Sequence, residues 1–125
     1  MFRLLLFLLP TLIAAQTFES TTTAHTKETY VLEFIERTIE IGENKITIIS
    51  QGKEIRDIQT LNIIHQEEKE FDNLGICTWY YCNSNNIPGT DKLIIVPKEK
   101  HPKQISIFEP SKDGASTKET NIILD

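Results

Sequence analysis

The side chains best equipped for chemistry in this 125-residue sequence lie between positions 65 and 91. His65-Gln66-Glu67-Glu68 sets an imidazole beside carboxylates, a combination that can move protons. It lacks the second histidine of a zinc-protease helix. Glu67, Glu68 and Glu70 read more simply as solvating charges. His25 falls in a Thr-rich stretch and His101 in a turn bracketed by Pro97 and Pro102, each without a patterned partner. There is no Gly-x-Ser-x-Gly elbow for a nucleophile. Paired carboxylates for glycoside chemistry would need a cleft that so short a β-domain rarely provides. The sequence therefore assigns no catalytic residue, no metal ligand and no cofactor.

Cys77 and Cys82 are the only cysteines. An even count suggests a disulfide if the chain is exported. In a continuous strand, however, residues five apart face opposite sides and stand about 16 Å apart. A disulfide needs Cα atoms within about 7 Å. A Cys77–Cys82 bond is thus disfavoured if 76–82 is one strand, and it requires a bulge or turn within 78–81. A C-x₄-C pair without further ligands makes a poor zinc site.

The cysteines flank the most aromatic segment, Ile76-Cys77-Thr78-Trp79-Tyr80-Tyr81-Cys82. As a strand it puts Cys77, Trp79 and Tyr81 on one face and Thr78, Tyr80 and Cys82 on the other. Large side chains on both faces suit either a strand covered on both sides or one with a working aromatic surface. The binding reading takes Trp79, Tyr80 and Tyr81 with Asn83, Asn85 and Asn86 of the following 83–91 loop, because loops on a rigid sheet commonly carry recognition. The competing reading is plain core packing. Lys98-Glu99-Lys100-His101-Pro102-Lys103 is locally basic, but three lysines with a glutamate make a weak patch and read as a solvated turn.

The elements that must position these residues are strands. Ile, Val and Thr supply 35 residues and Ala only 4, and β-branched side chains favour a pleated, half-buried surface over a helix. Met1-Phe2-Arg3, an apolar run to Leu12 and the small residues Ala14-Ala15 match a secretory signal peptide over 1–15. The apolar run is too short, and too interrupted by Pro10, to span a bilayer. Residues 16–29, six of them Thr, read as a flexible lead-in. A single β-domain is expected over 30–125. Within it, 38–50 reads as a hairpin around Gly42-Glu43-Asn44. The 54–64 stretch mixes spacing of three (Ile55, Ile58, Leu61) with alternation (Leu61, Ile63), and its β-branched content favours a strand over a helix. Further strands fall at 76–82, 93–96, around 105–108 and at 121–124. The expected fold is all-β: an antiparallel meander of six or seven short strands forming a curved sheet, small open barrel or sandwich.

The net charge of −5, or −6 once Arg3 leaves with the leader, gives no basic surplus to neutralise phosphates, which argues against nucleic acid. No Asn-x-Ser/Thr acceptor occurs. The leader ending Ala14-Ala15 before Gln16, the wealth of Ile, Lys, Glu and Asn, and the Gly75…Thr78-Trp79-Tyr80-Tyr81-Cys82 strand together resemble small uncharacterised exported β-rich proteins of Bacteroidetes-type bacteria. That resemblance implies a periplasmic or secreted location and brings no activity with it. The leading expectation is an exported, non-enzymatic β-domain that binds an unknown partner protein or small ligand, with no membrane span in the mature chain. The alternatives are a small acidic inhibitor or immunity-type protein, and a small hydrolase using His65.

Overall fold

Isoleucines at alternate positions decide the architecture. The computed structural model describes residues 16–26, 30–54, 56–84, 91–110 and 117–125. The expected signal peptide, residues 1–15, lies outside them. The described residues form eight strands: β1 (Gln16–Thr26), β2 (Tyr30–Ile41), β3 (Lys45–Gln51), β4 (Arg56–Glu70), β5 (Ile76–Asn83), β6 (Lys92–Pro97), β7 (Gln104–Pro110) and β8 (Thr117–Leu124). Each pairs antiparallel with the next, and β8 pairs with β1 to close a barrel. The antiparallel all-β meander is as expected, with one strand more than anticipated and with closure. Among the described residues no helix is long and apolar enough to cross a membrane.

The extra strand corrects the reading of 16–29. Gln16–Thr26 is not a flexible lead-in but β1, paired on both edges. Its threonines are β-branched and suit a strand as well as isoleucine does, and a polar hydroxyl is tolerated inside when it is bonded. Thr23 is fully buried and its hydroxyl accepts a hydrogen bond from Arg37 Nη1. Arg37 also donates to Ser50 Oγ at 3.1 Å and to Glu33 Oε1 at 3.1 Å, and His25 Nε2 stands 3.0 Å from the same Glu33 oxygen. The hydrogen bond from His25, followed by Arg37, holds the Glu33 carboxyl below its ordinary value against the opposing effect of burial. Where β1 is irregular, between Ser20 and Thr22, buried Ser20 Oγ accepts from the Thr22 N–H at 3.1 Å and donates to the Ile123 carbonyl. The hydroxyl bonds backbone groups where the ladder is broken.

The core lies inside the barrel. Ile39 and Ile41 of β2, Ile46 and Ile48 of β3, Leu61 of β4, Tyr80 and Cys82 of β5, Ile94 and Val96 of β6, Ile105 and Ile107 of β7 and Ile122 of β8 form one buried cluster. Phe18, Ile63 and Leu124 pack against it. Eight-stranded barrels have interiors that side chains can just fill. Here branched residues fill it, at the period of two that a pleated strand imposes.

A second, smaller packed region sits on the opposite side of β5–β7. Ile95 points away from Ile94 and Val96, yet it is fully buried, as are Cys77 and Ser106. Phe71, in the connection after β4, makes edge contacts with Trp79 of β5 and Phe108 of β7, both at 5.7 Å. It therefore lies across β6, which runs between those strands, over the face that carries Ile95. The 71–75 connection aims Phe71 there. Phe71 N–H bonds to the Gly75 carbonyl at 3.0 Å, and Leu74 N–H to the Phe71 carbonyl at 2.9 Å. Gly75 has φ +72°, ψ −149°, a region essentially reserved for glycine.

Candidate functional site

The β4–β5 hairpin carries the sequence-selected chemistry on its outer face, and a bulge in β4 puts it there. Up to Ile63 the odd-numbered residues of β4 point to the core with Leu61. Between Ile63 and His65 the register shifts, so that His65 pairs with Tyr81, Glu67 with Trp79 and Lys69 with Cys77. Odd residues beyond the bulge thus share the outer face with the odd residues of β5. The result is two facing rows, His65-Glu67-Lys69 on β4 and Tyr81-Trp79-Cys77 on β5, with Phe71 at the end.

These rows are bonded to one another. The Tyr81 hydroxyl donates to Glu67 Oε1 at 2.6 Å, and Lys69 Nζ reaches the same oxygen at 3.0 Å. The Lys69 ammonium lies 4.2 Å from the Trp79 ring centroid, and the Trp79 indole N–H donates to the Lys69 carbonyl at 3.2 Å. The His65 and Tyr81 rings are 5.7 Å apart at 30°. Hydrogen bonds from Tyr81 and then Lys69 hold Glu67 below its ordinary value. The same Glu67 bond pushes Tyr81 up, and Glu67 and then Tyr81 raise Lys69. Trp79 and Tyr81 stay half-buried, fixed at one edge and open at the other. The surface runs on through Leu93, which pairs with both Tyr81 and Phe108. There it meets a shallow depression of about 260 Å³ lined by Leu93, Phe108, Pro110 and Lys92.

The remaining sequence-selected residues divide. Tyr80 is not on this surface. It faces the core, where burial raises its hydroxyl above the ordinary tyrosine range. Asn83, at the end of β5, is half-buried and accepts from Asn62 Nδ2 at 3.4 Å. Asn85 and Asn86 lie outside the described residues. The ends of their loop are clipped together: Ser84 bonds both oxygens of Asp91, and Asp91 N–H bonds the Cys82 carbonyl at 3.0 Å. Cys77 and Cys82 are buried thiols on opposite faces of an uninterrupted β5, with no bond between them. Burial, followed by the Asp91 charge, pushes the Cys82 thiol up to about 12, and burial raises Cys77 as well.

His65 is exposed, with Nε2 3.9 Å from Glu67 Oε2. That separation is longer than a hydrogen bond between the two side chains. Among the described residues no three His, Cys, Asp or Glu side chains converge to hold a metal ion. Sequence reasoning picked out Trp79 and Tyr81 but missed Lys69, Phe71 and Phe108, since nothing in the linear pattern sets Phe71 across β6. It also dismissed the 98–103 turn, which folds beside Phe18 and Tyr80 at one end of the barrel. Comparison with family models, with curated proteins and with solved structures gives no match.

Proposed function

We propose that the protein is an exported, non-enzymatic binding domain whose recognition surface is the outer face of the β4–β5 hairpin. One observation carries this reading: Trp79 and Tyr81 are held half-open on a barrel wall by Lys69, Glu67 and Phe71. Amphipathic aromatics that are already ordered lose little entropy on binding, which is why they dominate binding hot spots. The partner is a protein that lays an apolar or aromatic side chain into the depression beside Phe108 while its polar groups meet His65, Glu67 and Lys69.

The leader over 1–15 supports a periplasmic or secreted location, as does the resemblance to exported bacterial β-proteins. The outward row Glu40, Thr47 and Thr60 is polar, as in a wall that faces water, while Phe34, Ile58 and Ile64 of the same strands are exposed apolar groups.

Affinity capture from a native envelope fraction, at low and high salt, tests the proposal. Capture through the aromatics persists when salt is raised. Loss of all captured protein at high salt points instead to an acidic domain masking a basic site. No capture at either salt removes the binding reading.

A further inference from the structure

Two adjoining cavities open at the barrel end formed by the start of β1, the end of β8 and the 98–103 turn. One, of about 180 Å³, is lined by Phe18, Tyr80, Val96, Pro97, Pro102 and Lys100 among others. The other, of about 360 Å³, shares Phe18, Lys100 and Pro102 with it. The floor is apolar and fixed: Tyr80 and Val96 belong to the core cluster, and Phe18 packs against it. A cavity of about 150 Å³ suffices for a benzene ring, so the smaller one has room for one ring among Phe18, Tyr80 and the two prolines. Aromatic and proline walls favour edge and face contacts with such a ring.

The charges at the rim are unequally committed. Lys98 is paired with Glu68 at 2.8 Å. Asp125 already accepts the N–H and hydroxyl of Thr21, both at 3.2 Å. Glu19 borders only the wider cavity and Glu99 only the smaller one, each likewise without a side-chain partner among the described residues. Lys100 has no ion pair or hydrogen-bond partner among the described side chains, and it is the one charged residue common to both cavities. His101 stands next to it on the wider side.

We propose that this end of the barrel is a second binding site, distinct from the β4–β5 face, for a small aromatic carboxylate. Its ring occupies the cavity over Phe18 and Tyr80, and its carboxylate is taken by the Lys100 ammonium. A charge-assisted hydrogen bond at the edge of an apolar cavity is stronger than the same bond in open solvent, and it sets the sign of the ligand's charge.

The test uses the purified protein and three probes of one shape: phenylacetate, phenylacetamide and phenylethylammonium, followed by amide chemical shifts. Phenylacetate should shift the amides of Phe18, Val96 and Lys100 saturably, with a dissociation constant on the order of 1 mM, as expected for so small a ligand. The neutral probe should bind roughly fivefold more weakly and the cationic one roughly tenfold more weakly or worse, the size of a single exposed charge contact. Lys100→Gln should cost phenylacetate the same factor, and Lys100→Arg should restore most of it. Trp79→Ala should leave this titration unchanged, which separates the site from the partner-binding surface. Equal binding of the three probes, indifference to Lys100→Gln, shifts centred on Trp79 and Tyr81, or no saturable shift would each overturn the proposal.

Discussion

Tyr80 and Tyr81 are neighbours in one strand with nearly opposite surroundings. Tyr80 belongs to the barrel core, where it reaches only the floor of the end cavity, and its hydroxyl is raised by burial. Tyr81 stands on the wall, and its hydroxyl is raised chiefly by the bond it gives Glu67. The two faces of β5 thus do different work. The inner face belongs to the barrel core, while the outer face is a bonded aromatic surface that packs with Phe71 outside the barrel. What separates them is partly local geometry outside β5: the β4 bulge after Ile63, and the Gly75 turn that brings Phe71 over β6.

The largest effect that sharpens this comparison is truncation of each tyrosine. Tyr80→Ala should cost about 3–5 kcal/mol, the range for emptying a large aromatic site in a core. Tyr81→Ala should cost about 1 kcal/mol, as at a half-exposed site. Urea denaturation of the pair checks this, and equal losses would break the division between faces.

Gly75→Ala should come next. A Cβ at Gly75 meets nothing within 4 Å, so any loss is conformational, about 1–3 kcal/mol for a side chain forced into that backbone region. It should also loosen Phe71 and alter the emission of Trp79, the only tryptophan. Loss of stability with unchanged emission would show that the turn does not position the outer face.

Ionisation also distinguishes the faces. Glu67→Gln should return Tyr81 toward the ordinary tyrosine range and leave Tyr80 high, read as phenolate absorbance against pH. On the acid side, Glu33 and Glu67 both lie below their ordinary value of 4.5. Each has a lower value folded than unfolded, so its contribution is complete above 4.5 and is lost as pH falls through the folded value. Because Glu33 serves Arg37 at the barrel wall and Glu67 only the surface, Glu33→Gln should flatten the acid limb of the thermal midpoint more than Glu67→Gln does. The smallest effect concerns the thiols. Cys77 and Cys82 are buried on opposite faces with raised values, and neither should be alkylated at neutral pH until the protein is unfolded. Rapid labelling of Cys77 alone would mean that the outer packing around Phe71 opens on its own.

The same contrast explains what could be read from the sequence. The inner face was legible, because Ile39, Ile41, Ile46 and Ile48 repeat at the strand period. Lys92–Pro97 was legible as a central strand because its run Leu93 to Val96 is continuously apolar, and Ile94 to Val96 are buried on both sides. β1 was missed because its threonines count as polar in composition, although Thr23 is buried against Arg37 and closes the barrel. The 54–64 stretch mixed two spacings because Ile58 points outward, where it is exposed, while Leu61 and Ile63 point inward; β4 changes parity only after Ile63. Trp79 and Tyr81 stood out by residue type. Phe71 did not, since its partners lie 8 and 37 positions further along the chain.

The central claim is that the outer face of β5 recognises a partner and is separable from the fold. Wild type and Trp79→Ala, immobilised at equal density and exposed to the same native envelope fraction at high salt, test it most directly when the thermal midpoint of each is measured alongside. The account predicts that Trp79→Ala loses most of the captured partner while its midpoint falls by only about 4–8 °C, the shift expected for about 1 kcal/mol in a domain of this size. Undiminished capture by Trp79→Ala would contradict it.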